Sequence, residues 1–204
     1  MLLFAKGLKT HRALQILGSQ GYGEDAIVLL RSLFQVVVTA QYLVGNDSRT
    51  RFARYRAYHA VPLAVAAAKN PKVSLPVAKL EANARRAKNR FKFSSGAFGW
   101  AGISLEAAAK EVGQQGVYDS LYRVGSQYEH TMFWSIVSFA DRGTVFQASR
   151  DPSGAHVDKV LASSYSEILI LSEVVIRSFS LGMVKELHPL LTLPGSFVFG
   201  ASAT

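Results

Sequence analysis

"EDAIVLLRSLFQVVVTAQYLV", residues 24–44, is the stretch whose reading decides the fold. Its acidic first turn, Glu24 and Asp25, suits the positive end of a helix dipole, and Gly45-Asn46-Asp47 closes the segment. Arg31, Gln35 and Gln41 interrupt the apolar run. A membrane-crossing helix calls for about 18 or more uninterrupted apolar residues. The stretch therefore reads as a buried bundle helix, and so does "ILILSEVVIRSFSLGMV" with its Glu173 and Arg177. No transmembrane segment is expected.

Helical spacing continues on both sides. Leu3, Leu14 and Leu17 mark a helix over residues 2–19 that stops at "GSQGYG", where no strand precedes the glycines to make a phosphate cradle. Asp47 or Ser48 can cap a helix from Ser48 to Lys69, which Pro62 should kink or divide. "NPKVSLP" separates it from a helix over Pro76 to Phe91, and "FKFSSGAFGWAG" reads as a loop. Ser104 can cap a short helix to Val112, which "GQQG" breaks. Another is expected from Val117 toward Ala140 with an interruption around Gly125. After the turn "SRDPSGAH", the last runs over 155–187 and stops at His188-Pro189. The expected architecture is all-α, a single-domain bundle of about six or seven helices. Residues 1–190 form the bundle, and 191–204 a tail without helical period.

The 204 residues contain no cysteine, which excludes disulfides, thiolate metal sites and a cysteine nucleophile. That absence suits a reducing cytoplasm, the expected location. In the opening "MLLFAKGLKTHRALQILG" the charges follow the apolar residues, the reverse of a signal peptide. Lysine and arginine number 23 against 14 acids, a net charge of +9 that favours a phosphate-rich partner, either nucleic acid or an anionic membrane surface. His11, His59, His130, His156 and His188 are scattered and no His-Glu-x-x-His occurs, so neither a metal nor a cofactor is expected.

"YRVGSQYEH", residues 122–130, carries the candidate chemistry. Successive helical residues turn by ~100°, so positions seven apart differ by only about 20°. Arg123 and His130 share a face with Ser126 between them, and Tyr122, Ser126 and His130 form a stripe at a spacing of four. Imidazole can move protons near neutrality and guanidinium matches phosphate oxygens. His130 and Arg123 are thus candidate catalytic residues for metal-independent RNA cleavage. The structural alternative makes His130 a core or interface residue and Arg123 a surface cation.

Other basic clusters are candidates for phosphate contact. "RYRAYH" contributes Arg54, among Arg49, Arg51 and Arg56 and beside Tyr55 and Tyr58. "EANARRAKNRFKF" contributes Arg85, Arg86, Lys88 and Arg90, with Lys92 beyond them. Both are equally readable as solvated faces. Arg31, inside an apolar helix, needs a partner because an unpaired buried charge is very costly. Glu111, Asp119 and Glu129 are candidates; otherwise Arg31 faces a cleft and awaits an anionic ligand.

"EDAIVLLRSLFQVVVTAQYL" together with "WAGISLEAAAKEVGQQGVYDSLYRVGSQYEH" resembles the bacterial all-helical domain-of-unknown-function family 5677. Its pattern is a G-x-x-x-(D/E)-A…L-x-R-S-L-F-E helix, a Trp-x-Gly-x-Ser turn and a Tyr-x-x-x-Ser-x-x-x-His helix. The resemblance spans roughly residues 21–131 and places Arg31, Trp100, Tyr122, Ser126 and His130 at the marked positions. Gln35 stands where the family usually carries glutamate. The chain is more distantly similar to the HEPN ribonucleases, compact helical dimers of toxin–antitoxin and phage-defence systems. Arg123 to His130 fits the long form of their signature, with Val124 where a polar residue usually comes after the arginine.

The leading expectation is RNA as partner and a homodimer, with Arg31, Ser126, Tyr122 and Trp100 around the substrate. Two other functions remain open: a non-catalytic helical interaction module, and a small-molecule pocket lined by Trp100, Tyr118 and Tyr122.

Overall fold

The computed structural model describes residues 1–69, 76–93, 98–130, 132, 152 and 154–183. Among these residues there is no strand, and the fold is all-α. The helices are α1 (Leu2–Ser19), α2 (Gly23–Val44), α3 (Ser48–Tyr58), α4 (Ala60–Lys69), α5 (Val77–Phe91) and α6 (Leu105–Glu111). Next comes a continuous helical run: α7 (Gln115–Val117), a π-helical turn (Tyr118–Tyr122) and α8 (Arg123–Glu129). The last described helix is α9 (Val157–Ser178). Two compact units emerge, the first within Met1–Gln41 and Val112–Thr204, the second Tyr42–Glu111.

In the first unit α2 is the core. Ala26, Ile27, Leu30, Leu33, Phe34, Val37 and Val38 are almost wholly buried, so apolar residues face inward around most of its circumference. By length and composition α2 could cross a membrane, yet 61% of its most apolar window is buried inside the protein. That burial is what a core helix requires. Helix α1 runs antiparallel to α9: Gly7 lies against Leu171 and Ile168, and Gly18 against Leu161. A Cβ at Gly18 would sit 2.9 Å from Leu161 Cδ2, so the glycines let the two helices meet closely.

The second unit packs α4 on α5, and the buried residues of the two helices are small: Ala60, Ala64 and Ala67 on α4, Ala84 and Ala87 on α5. Side chains at the contact set helix spacing, so an alanine seam brings the axes near. Ser104 Oγ accepts the Ala107 amide at 3.0 Å and caps α6.

One expectation is sharpened and two change. The Ser48–Lys69 segment divides at His59, leaving Pro62 in the first turn of α4, where its missing N–H has no intrahelical partner to lose. Gly125 does not interrupt its helix; the irregularity is the π-turn before it, and residues 131 and 133–140 lie outside the described residues. Helix α9 ends at Ser178, where Ser180 and Gly182 take left-handed backbone angles (φ 51° and 73°) that cannot continue it. His188-Pro189 and the expected tail lie outside the described residues.

Candidate functional site

The site in the first unit is built where the π-turn meets α2. A π-turn carries one residue more than an α-turn and shifts the phase of the helix beyond it. Here it stacks the Tyr118 and Tyr122 rings at 5.0 Å, and both rest on Phe34 of α2, with centroids 6.5 and 5.9 Å away. Gly125 then brings α8 against α2: a Cβ there would lie 3.0 Å from Arg31 Cβ and 3.3 Å from the Ile27 carbonyl oxygen.

That close approach puts Arg31 between two partners from the later motif. Its Nη1 donates to Glu129 Oε2 in an ion pair, and its Nη2 donates to the Tyr122 hydroxyl at 2.8 Å. The Arg31 side chain is only 16% exposed, and its Nε is buried without a hydrogen-bond partner. Of the three acids considered for Arg31, the fold selects Glu129, so the pairing survives although position 35 is glutamine.

His130 is the next residue along the chain. Its amide donates to the Ser126 carbonyl at 3.1 Å, which ends α8, and its ring projects outward with 65% of the side chain exposed. Nε2 lies 3.7 Å from the same Glu129 Oε2 that Arg31 engages. Arg31, Glu129 and His130 thus form a chain from the interior to the surface, with Tyr122 at its inner end.

Arg123 is not brought to His130. Its Nε donates to Asp119 Oδ1 at 2.9 Å and its guanidinium lies 5.3 Å from the Tyr118 ring, both on the N-terminal side. Seven residues of α-helix also rise about 10.5 Å, so a shared face leaves the two groups two turns apart. Hydrogen bonds from Gln115 and then Arg123 hold the Asp119 carboxyl below its ordinary value of 3.8. Ser126 is half-buried.

Trp100 belongs to the second unit. It is 3% exposed and its ring meets those of Tyr42, Tyr55 and Phe98. Burial raises the Tyr55 phenol above its ordinary value of 10.0. Arg54 turns inward: Nε donates to the Trp100 carbonyl at 3.0 Å and Nη1 to the Phe91 carbonyl at 2.9 Å. Gly102, at φ 78°, leaves room for the guanidinium, since a Cβ would sit 2.7 Å from Arg54 Nη2. The Trp-x-Gly-x-Ser turn therefore receives Arg54 and then caps α6. Arg51 donates to the Tyr42 carbonyl and pairs with Glu111. The space beside Trp100 is an open, cation-lined cleft of about 440 Å³, and Tyr118 and Tyr122, expected to line a pocket with Trp100, are not among its lining residues. Arg85, Arg86, Lys88 and Arg90 all lie on the exposed side of α5.

Among the described residues no group of three or more His, Asp or Glu could hold a metal ion. Glu167 on α9 is 2% exposed, its Oε2 has no hydrogen-bond partner, and burial pushes its carboxyl up to about 8. Nothing in a helical pattern separates such a glutamate from a solvated one.

Two of the motifs that carry the resemblance, the Arg-Ser-Leu-Phe helix and the Tyr-x-x-x-Ser-x-x-x-His helix, meet at Arg31. Residues 1–144 match a family of unknown function, DUF5677. The chain belongs to this family. None of the curated proteins and none of the solved structures matches it. Family membership covers both motif helices as far as His130 and leaves their chemistry to be argued from geometry.

Proposed function

We propose that this protein is a cytoplasmic RNA-directed protein that cleaves RNA without a metal ion, with His130 as the acid–base group. The observation that carries the reading is the exposed His130 imidazole beside a carboxylate that Arg31 holds in place. General acid–base catalysis needs a proton-transferring group that substrate can reach and that neighbours orient. In the reaction the 2′-hydroxyl gives its proton to the imidazole while its oxygen bonds to phosphorus. The P–O5′ bond breaks and the 5′-oxygen takes up a proton, leaving a 2′,3′-cyclic phosphate and a 5′-hydroxyl.

Arg123 has a changed part in this scheme. Its pairing with Asp119 joins exposed side chains four apart. Exposed pairs of this kind are weak and screened by solvent, so Arg123 can exchange Asp119 for a phosphate. Two turns from His130, it suits a neighbouring phosphate better than the scissile one. Net charge and the exposed cations of α5 would draw the RNA in. A homodimer would supply a second His130 to protonate the leaving oxygen, as the similarity to HEPN ribonucleases suggests.

The test is cleavage of single-stranded RNA by the full chain in EDTA, with product ends identified. Fragments ending in 2′,3′-cyclic phosphate, lost in His130→Ala, are expected; the loss should be on the order of 10²–10⁴ in rate. RNA left intact by the wild type, or cut equally by the variant, would contradict the reading.

A second reading rests on the double anchoring of Arg31 and the close contact at Gly125. Both fasten α8 to α2 and suit a non-catalytic interaction module. In that case His130→Ala would weaken self-association and no cleavage would be seen.

A further inference from the structure

In the first unit, the antiparallel pair of α1 and α9 ends in a group of exposed apolar side chains. Gly7 meets Leu171, so Leu2, five residues earlier, lies level with the last turns of α9. Leu2 is 90% exposed, and Met1, Phe179, Leu181 and Met183 are each more than half exposed. The Phe179 and Leu181 amides donate to the Val175 and Ile176 carbonyls, which ties this segment to the end of the helix. Exposed apolar residues scattered singly are ordinary, but a group of them gathered at one end of a helix pair marks a contact surface. Helix α1 continues that surface with charge. Leu2, Lys9 and Ile16 are seven apart and share a direction to within about 40°. Lys6 and Arg12 flank them, and all five are exposed. Helix α1 contains no acidic residue, so its outer stripe is cationic throughout.

We propose that this end of the α1–α9 pair docks on an anionic lipid bilayer, apolar tip first, with Lys6 and Lys9 at the headgroups. Along the helix axis, Lys6 and Lys9 stand about 6 and 10.5 Å from Leu2. Interfacial apolar groups reach about 5–10 Å into the headgroup and acyl boundary, so seating Leu2 there brings both ammonium groups to the lipid phosphates. Lysine can also lay its methylene stem along apolar surface while its charge stays in water. Stable adsorption calls for two signals, apolar burial and attraction to anionic lipid, and this end of the molecule supplies both. An RNA would engage the cations and leave the apolar tip in water. A second copy docked by two-fold symmetry would set the cationic stripe against itself, and like charges placed together repel. The contact is adsorption and not crossing, since α2, the described helix apolar enough to span a bilayer, is mostly buried in the protein. None of these residues belongs to the His130 site, so vesicle binding and RNA cleavage stand or fall separately.

The experiment is flotation of the full-length protein with vesicles of phosphatidylcholine, alone or mixed with an equal part of phosphatidylserine. Binding is expected to the mixed vesicles, weakened by added salt, and not to phosphatidylcholine alone. Lys6→Gln combined with Lys9→Gln should weaken it about thirtyfold, the size expected when two cations leave an anionic surface. Phe179→Ser combined with Leu181→Ser keeps the charge and should weaken it by about tenfold or more through lost apolar burial. Lys69→Gln combined with Lys110→Gln removes the same charge from exposed positions of the second unit and should leave binding nearly unchanged. Equal binding to both kinds of vesicle overturns the proposal, as does an equal loss in the two lysine variants. So does wild-type binding by the Phe179 and Leu181 variant. Absence of vesicle binding overturns it too; weaker RNA binding in the Lys6 and Lys9 variant would then make the face an RNA contact. Loss of a dimer in the Phe179 and Leu181 variant would make it a contact between copies.

Discussion

Arg31 in the first unit and Arg54 in the second are both half-buried guanidiniums that tie together distant parts of the chain, yet they are compensated differently. Arg31 meets a carboxylate, Glu129, and a phenol, Tyr122. Arg54 meets the carbonyls of Trp100 and Phe91. The first unit also buries Glu167, which it keeps protonated near neutral pH. Thus Arg31 is matched by a carboxylate, whereas Arg54 is held by carbonyl dipoles. A guanidinium satisfied in its hydrogen bonds is not necessarily satisfied in its charge.

The comparison can be broken in the first unit by titration. The Glu167 carboxyl lies at about 8 in the fold against an ordinary 4.5. Its folded value is raised, so the stability it confers is fully present below about pH 4.5. That stability falls as the pH rises, because the unfolded chain ionises while the folded one holds its proton, and the loss levels off above about pH 8. At its steepest this single group contributes a slope of about 1.4 kcal/mol per pH unit. Glu167→Gln should remove that slope, so urea unfolding should show the variant gaining on the wild type from pH 5 to pH 8. Parallel pH profiles would mean that Glu167 is not a buried neutral acid.

A smaller effect is expected from Arg31→Ala. It removes one side of a pair whose other side, Glu129, is 40% exposed and can regain water. The cost should therefore fall below the 3–5 kcal/mol typical of a fully buried pair, at about 2–3 kcal/mol. Denaturant unfolding measures it directly. A change under about 0.5 kcal/mol would place Arg31 with ordinary surface cations and remove the contrast with Arg54.

Much of the fold was legible from residues acting locally. The acidic start and Gly-Asn-Asp end of α2, the Ser104 cap and the break imposed near Pro62 depend on neighbours within a turn or two. The candidate residues were named from the sequence, but their pairings could not be read from it. That Arg31 needs an acid is dictated by its apolar surroundings, but the choice of Glu129, 98 residues away, depends on Gly125 allowing α8 to close on α2. The Arg123–His130 pairing read from angular position omitted the rise along the helix. Arg54 could not be placed from sequence, because its partners are backbone carbonyls that carry no side-chain signature.

The claim on which the rest depends is that His130 is where RNA touches the first unit. The direct measurement is a ¹³C–¹H spectrum of the histidine Cε1 positions, recorded in EDTA as single-stranded RNA is added to the full chain. The chain has five histidines, so each signal can be assigned by substitution. The account expects the His130 signal to move with RNA concentration and saturate, while His11, partly buried between α1 and α9, stays in place. A His130 signal that remains fixed at saturating RNA would contradict it.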